Sequence, residues 1–339
     1  MNSARLELIA GRYANLAVAV LGDFCLDRYL EIDPALAETS LETGLSVHNV
    51  VRVRAQAGGA GTVLNNLAAL GVGRIVPLGF AGDDGEGFEL LRAMQGLPGV
   101  RTDHLLRTPL RRTFTYCKPL LVEEGKPPCE LNRLDSKNWT PTPAEVEQPL
   151  IDALCQEAKR IDALVIMDQV DVAGTGVLTR AVLDAVATIA IQRPELLVLA
   201  DSRRGLQGYP PVVWKMNRAE LGKLRGAVAP LDLEQAKLAA IQVARANGRA
   251  VFVTLAEEGL LAALPDGQSY HCPALPIHGP IDIVGAGDAV TANLAAALAA
   301  GAEPAEALEL AAAAASIVIH QLGATGTAAV AQIAAAQGL

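Results

Sequence analysis

Residues 16–23 read LAVAVLGD. Six apolar residues run without a polar break and stop at Gly22-Asp23, the pattern of a strand buried on both faces and ended by a turn. The same alternation spreads outward from there. Residues 61–70 carry a helical pattern stopped by Gly71, 74–80 read as a second strand, and about 86–95 as a second helix. Strands are expected again at 163–167, 196–200, 212–216 and 250–255, with helices at 176–190 and 233–246. The chain closes in helices at about 286–300, 303–320 and 327–337. Strands alternating with helices predict an α/β layered fold around a mostly parallel sheet.

Two segments break this rhythm, about 31–56 and 107–134. They contain VHNVVRVRAQ (47–56) and RTFTYCKPLLVEE (112–124), short alternating runs with charge on one side. That pattern predicts half-exposed antiparallel strands, set as a small β-lid over a cleft within one domain spanning 1–339. Trp139–Pro143 marks the return to the core, with Thr142 expected to cap the next helix.

Composition narrows the function. Of the 339 residues 51% are hydrophobic but only 4% aromatic, so the core is aliphatic. The net charge of −9 disfavours nucleic acid as a partner, while a local basic cleft remains compatible with an anionic substrate. Five scattered cysteines without a CxxC pair read as reduced thiols. The N-terminus carries charges where a leader would be apolar, and the apolar stretch at 305–319 contains Glu306 and Glu309. A soluble, cytoplasmic protein with no membrane partner is expected.

The strongest chemical signal is Asp282-Ile283-Val284-Gly285-Ala286-Gly287-Asp288, followed by an alanine-rich helix. Gly285 and Gly287 allow close approach of the backbone to a ligand, and amides at a helix N-terminus favour an anion. An aspartate there fits a base that takes a hydroxyl proton while amides stabilise a transferring phosphoryl group. The bland alternative is a glycine turn with an acidic cap. No GxxxxGK[ST] occurs, which excludes a P-loop; Leu64 and the distance from the first strand spoil a dinucleotide fingerprint at Gly59-Ala60-Gly61.

Four strings stand in order: GDFCLDRY (22–29), AGGAG (57–61), Asn217-Arg218-Ala219-Glu220 and DIVGAGD (282–288). Together they resemble the ribokinase-like, or PfkB, family of carbohydrate kinases, over nearly the whole chain. The resemblance implies a three-layer ribokinase-like core with a β-strand lid and ATP-dependent phosphorylation of a sugar or sugar phosphate. It implies Asp288 as base, with Gly285, Ala286 and Gly287 as anion hole. Asp27, Gly58, Gly59 and Asn66 are expected at the sugar. Asn217 and Glu220 are expected to hold Mg2+ through water, against the alternative of a helix capping box. ATP is expected near Thr254, Gly259, Asp282, Gly323 and the helix at 311–320, with a monovalent cation beside Asp282 and the loop 323–326. The closest subgroup is the kinase module of bifunctional heptose-phosphate enzymes, which GDFCLDRY, NNLAALG, ELNRLD (130–135) and DIVGAGDAV resemble.

Arg52, Arg54, Arg111, Arg112 and Arg133 fall on the lid segments. Arginine suits bidentate phosphate binding, so together they favour a sugar already carrying a phosphate, with Arg133 as a substrate contact. Asp168 and Asp201 each end an expected strand, and are either site-facing or turn residues. The chain departs from the family pattern at Thr62, Ala256, Ile283 and the AAAAAS run (311–316). These departures keep two alternatives open: a free-sugar or nucleoside kinase, and a binding protein without catalysis. Unpaired lid edges suggest a homodimer.

Overall fold

In the computed structural model every residue except Ala324 is described. Along the chain α1 (Ser3–Ala10) leads to β1 (Ala17–Gly22), which runs on through Asp23 into β2 (Phe24–Ile32). Two-residue strands β3 (Glu38–Thr39) and β4 (Ser46–Val47) precede the long β5 (Val50–Gly59). The core resumes with α2 (Ala60–Ala69), β6 (Arg74–Gly82), α3 (Gly85–Gln95) and β7 (Leu105–Thr108). A second excursion holds β8 (Phe114–Leu121), β9 (Cys129–Glu130) and β10 (Leu134–Ser136). Then come α4 (Ala144–Glu157), β11 (Ala163–Asp168), α5 (Arg180–Gln192), β12 (Leu197–Ser202), β13 (Val213–Asn217), α6 (Arg218–Leu224), α7 (Leu233–Asn247) and β14 (Val251–Thr254). A hairpin of β15 (Leu260–Ala263) and β16 (Ser269–Cys272) is followed by α8 (Ala286–Ala299), α9 (Pro304–Ile319) and α10 (Val330–Ala336).

The main sheet has nine strands in the order β16-β15-β14-β13-β12-β11-β1-β6-β7. All neighbours pair in parallel except β14–β15 and β15–β16. In β1, Val18 and Val20 join the core shared with α2, α8 and α9, while Ala19 and Leu21 join the core shared with α4, α5 and α7. This two-sided burial is the physical reason for the unbroken apolar run and gives a three-layer α/β fold. Alanine dominates α8 and α9 because these helices pack closely on each other and on the sheet; Ala295, Ala296 and Ala297, like Ala311, Ala313 and Ala314, are fully buried. Among the described residues no helix is long and apolar enough to cross a membrane.

The lid is a separate sheet of order β10-β8-β2-β5, with β9 on β8. It departs from expectation in two ways. It begins at Phe24, because the core strand passes into it directly, and β7 belongs to the main sheet instead. Its pairing is also mixed: β2–β5 and β8–β10 are antiparallel, but β2–β8 is parallel. Alternation reveals a half-exposed strand but not its partner's direction.

Two helix starts also differ. α5 begins at Arg180 rather than 176, since the Thr179 hydroxyl caps it by accepting from the Val182 amide. Thr142 caps nothing: α4 starts after Pro143, and the Thr142 hydroxyl donates to the Gly176 carbonyl at 2.7 Å.

Between β14 and β15, Ala256 has φ 53°, the one non-glycine residue among those described with positive φ. A β-carbon in this left-handed conformation is strained. Ala256→Gly should therefore raise stability by about 0.5–1 kcal/mol, read as a higher urea midpoint with unchanged slope. An unchanged or lower midpoint would mean that the turn carries no strain.

Candidate active site

The site lies where the parallel strands end, the position open α/β sheets use for ligands. α8 enters it N-terminus first. Gly285 precedes the helix at φ +84°, and a β-carbon there would press on Thr325 at 3.2 Å. Of the three expected anion-hole amides, one is engaged: Ala286 donates to the Ile283 carbonyl at 3.2 Å, closing the turn. The amides of Gly285, Gly287 and Asp288 have no backbone acceptor among the described residues, so Gly285 and Gly287 are free as expected and Asp288 takes the place of Ala286.

Asp288 follows on the first turn of α8, partly open to the cleft. Desolvation, then the negative charge of Asp201, push its carboxyl up to about 7, against the opposing pull of Lys215. Thr62 lies close enough to oppose this rise, so the departure from the family pattern at Thr62 puts a hydroxyl residue beside this carboxyl. Asp27 is near enough to act on it electrostatically from the lid side.

Asp27 is 7% exposed in the middle of β2. Burial raises its pKa, opposed by Lys118 and Arg133. Gly58 lies where a β-carbon would collide with the Asp27 carboxyl, and Gly59 has φ +58° with a β-carbon position 2.7 Å from the Asp23 carbonyl. The diglycine thus makes room for Asp27 and lets β5 turn into α2. On β5, Gln56 stands opposite Asp27, and its amide donates to Thr325 on the far side of the cleft.

The lid face that carries Asp27 is cationic one step further along. Asp27 is level with Tyr116 and Gln56, and Tyr29 with Lys118 and Arg54. Opposed residues, and residues two apart on a strand, share a face. Arg54 lies 4.7 Å and Lys118 4.9 Å from the Tyr29 ring centre, and Arg133 5.1 Å from that of Tyr116. Glu31 pairs with Arg54 at 2.7 Å, and Asp135 with Arg133 at 2.6 Å.

On the other side of Gly287 opens a cavity of about 550 Å³. Asn217, Thr254, Ala256 and Gly259 form one wall; Ala312, Ala315, Ser316 and Ile319 of α9 form another, with Leu275 and Ile277 beside them. This mostly apolar slot is large enough for a nucleotide.

Several expected residues fall elsewhere. Asn66 is fully buried, donating to the Thr62 and Gly326 carbonyls at 3.0 and 3.4 Å, and has no surface toward a sugar. Arg111 is buried and donates to the carbonyls of Thr140 and Thr175 at 2.6 and 2.9 Å; it supports a loop and is closed to a phosphate. Asp282 accepts from the Val284 amide at 3.0 Å, and neither it nor Gly323 lines the cavity. The expected cation loop includes Ala324, which lies outside the described residues. Asp168 is wholly buried, binding Ser202, Arg204 and Tyr209, and is structural.

Asn217 and Glu220 form the capping box, side chain to amide in both directions at 2.9 and 2.7 Å. That engages one oxygen of Glu220. The second is uncommitted and near Lys215 and Asp201, which fits a cation held through water, not a cage made by protein alone. Sequence reading missed Lys118, Gln56 and Lys215. Lys118 and Gln56 gain meaning only from strand register, and Lys215 lay hidden inside an apolar strand.

A carboxyl beside free helix-terminal amides, between a polar cleft and a nucleotide-sized slot, defines an alcohol phosphotransferase. Residues 18–330 match the pfkB family of carbohydrate kinases, and the chain belongs to that family. It is 32% identical over 337 residues to the bifunctional protein HldE of Pelobacter propionicus, covering 98% of this chain and 65% of that protein. With the HldE of Trichlorobacter lovleyi the identity is 31%, covering 100% of this chain and 66% of the relative. The chain thus spans just under two thirds of the curated relatives it matches. Two solved structures share the fold. Arabidopsis thaliana ribokinase complexed with ribose and ATP superposes at TM-score 0.67 with 18% identity, over 96% of this chain and 99% of that one. Escherichia coli phosphofructokinase-2 in complex with substrates and products gives 0.72 with 17% identity, over 95% and 98%.

Gly58→Ala should force the Asp27 carboxyl aside and cost about 1–3 kcal/mol of stability, measured by urea denaturation. A stability equal to wild type would mean that the carboxyl moves freely and the diglycine is not shaped around it.

Proposed function

We propose that this kinase transfers the γ-phosphoryl group of ATP to a hydroxyl of a sugar that already carries a phosphate, of the heptose-phosphate class. The observation that carries the reading is the cationic row Arg54, Lys118 and Arg133, on the same lid face as Asp27 and one step further from Asp288. Glu31 and Asp135 already pair with Arg54 and Arg133, whereas Lys118 has no carboxylate partner among the described residues, and a phosphate at the far end of the substrate gives it one. The resemblance to heptose-phosphate kinase modules, and the HldE relatives, point the same way.

In this mechanism Asp27 and the backbone at Gly58-Gly59 fix the sugar, with the accepting hydroxyl at Asp288. Its oxygen attacks the γ-phosphorus as the bond to the β-bridging oxygen breaks. The proton passes to Asp288, and ADP leaves. The free amides of Gly285, Gly287 and Asp288 stabilise the charge that develops on the transferring group. Mg2+, when bound with ATP, neutralises phosphate charge, and Glu220 is the residue placed to hold it through water. The lid excludes water, with Gln56 reaching across to Thr325 as its contact with the core.

Two outcomes test this reading. ATP turnover should be stimulated by one or more seven-carbon sugar phosphates and hardly by free sugars, and Lys118→Met should raise KM for the phosphosugar about tenfold or more with little change in kcat. Equal turnover of a free sugar would sink the phosphate assignment and favour a free-sugar kinase. Because Asp288 must be ionised to take a proton and its pKa is pushed up to about 7, kcat/KM should rise with pH through that value and level off above it. Asp288→Asn should lose about 10²–10⁴ in rate together with this limb. A near-normal rate in that variant would remove Asp288 as the base.

A further inference from the structure

The turn between β14 and β15 walls one side of the slot, where Leu255, Ala256, Glu257 and Gly259 line it. The Leu255 amide donates to the Gly259 carbonyl at 2.8 Å, and the Gly259 amide to the Ala256 carbonyl at 3.0 Å. Between them Ala256 holds φ 53° and is exposed, as is Glu257. A strained backbone persists only where its surroundings impose it. Ala256 is not packed over, so the constraint has to come through the residues on either side of it.

Arg218 reaches both sides. It is the first residue of α6, between Asn217 and Glu220, and Asn217 pairs with Thr254 where β13 and β14 end next to each other. From there its guanidinium crosses to the turn. Nη2 donates to the Leu255 carbonyl at 3.1 Å and to the Glu258 carboxylate, so both of its hydrogens are spent on residues that flank Ala256. Nη1 donates to the Leu231 carbonyl at 3.4 Å, just ahead of α7. His271 on β16 donates from Nε2 to the Glu258 carbonyl at 2.7 Å, which steadies the far end of the turn only. Among the described residues Arg218 is the one side chain that hydrogen-bonds both sides of Ala256. A planar, rigid fork of donors suits such a bridge, whereas the ion pair with Glu258 would add little stability by itself.

We propose that Arg218 is a positioning residue for the nucleotide: by bridging Leu255 and Glu258 it holds the Ala256 turn in its left-handed shape, and that shape is the wall against which the nucleotide binds. It takes over the constraint that a glycine at 256 would make unnecessary. The inference rests on the slot being the ATP site and is independent of the sugar. Arg218 also borders the slot, so the competing role is a direct bond to phosphate.

The test compares wild type, Arg218→Met, Ala256→Gly and the double variant in the full chain. Urea midpoints are measured for each, with binding of AMP and ADP by calorimetry. Without Arg218 the alanine turn relaxes, and a nucleotide must restore the strained shape as it binds. Arg218→Met should therefore weaken ADP about tenfold, and AMP by the same factor. In the Ala256→Gly background, where positive φ costs nothing, the same replacement should weaken either ligand by no more than about threefold. Arg218→Lys keeps the charge without the fork and should behave as Arg218→Met does. A loss that is larger for ADP than for AMP would make Arg218 a phosphate ligand and overturn the proposal. Full ADP affinity in Arg218→Lys, or equal losses in the two backgrounds, would overturn it as well. If wild type bound neither nucleotide, the reading of the slot would fail, and the urea midpoints would still judge Arg218. The gain from Ala256→Gly should shrink once Arg218 is replaced; a gain as large as in wild type would refute the bridge.

Discussion

Asp23 joins the core to the lid, and the geometry of the cleft depends on how it is held. The chain leaves β1 at Gly22 and enters β2 at Phe24, with Asp23 the sole residue between them. Its amide donates to the Met167 carbonyl at 3.1 Å, and its carbonyl accepts from Ala60 at 3.0 Å where β5 passes into α2. Its carboxyl, 1% exposed, accepts from the amides of Val177 at 2.7 Å and Gln169 at 2.9 Å. One residue thus fastens both roots of the lid and the loop after β11. Burial, then the nearby Asp168, raise its pKa to about 7; the protein accepts that electrostatic cost for a rigid junction. Gly176 and Gly59 are glycines because a β-carbon at either would meet Asp23 itself.

From that junction the lid hangs over the strand ends with Asp27 four residues along. The result is a site in which two carboxyls, Asp27 from the lid and Asp288 from α8, act on one another across the space left for substrate. Burial is the first cause of the raised pKa of both; Asp201 and then Asp27 add to it at Asp288, and Asp135 adds to it at Asp27. Lys118 and Arg133 oppose this at Asp27, and Lys215 at Asp288. The cleft is therefore polarised along its length, cations on the outer lid, carboxyls at the centre, free amides and Lys215 toward the nucleotide slot. Such an order suits a reaction in which a proton moves one way and a phosphoryl group the other.

On the proposed reading, substrate choice and chemistry reside in different parts of this fold. The anion-hole turn and the strand ends are built from buried, close-packed backbone, where a substitution meets its neighbours at once. The lid face is half exposed, and its arginines are balanced by Glu31 and Asp135. Exposed ion pairs contribute little to stability, so those positions are free to follow the substrate. The departures at Thr62 and Ala256 fit the same division. Thr62 lies beside Asp288 and opposes the rise of its pKa, and Ala256 keeps a left-handed turn without glycine.

Much was legible in the sequence alone. The unbroken run at 16–21 announced a strand buried on both faces, because only a two-sided core tolerates six apolar residues in a row. DIVGAGD announced a helix N-terminus with an acid, because glycine and local amide geometry are encoded within a few residues. Strand and helix positions in the core followed for the same reason. The direction of β8 against β2, the burial of Asn66 and Arg111, and the choice of free amides did not follow, since each depends on what the chain places opposite. Lys215 shows the limit best. Read in place it is one cation inside VWKMN, and only the packing of β12, α6 and α8 around β13 makes it a charged group acting on Asp288. Local sequence fixes which backbone conformations and faces are possible; the long-range register decides which side chains share a dielectric environment, and that environment sets their chemistry.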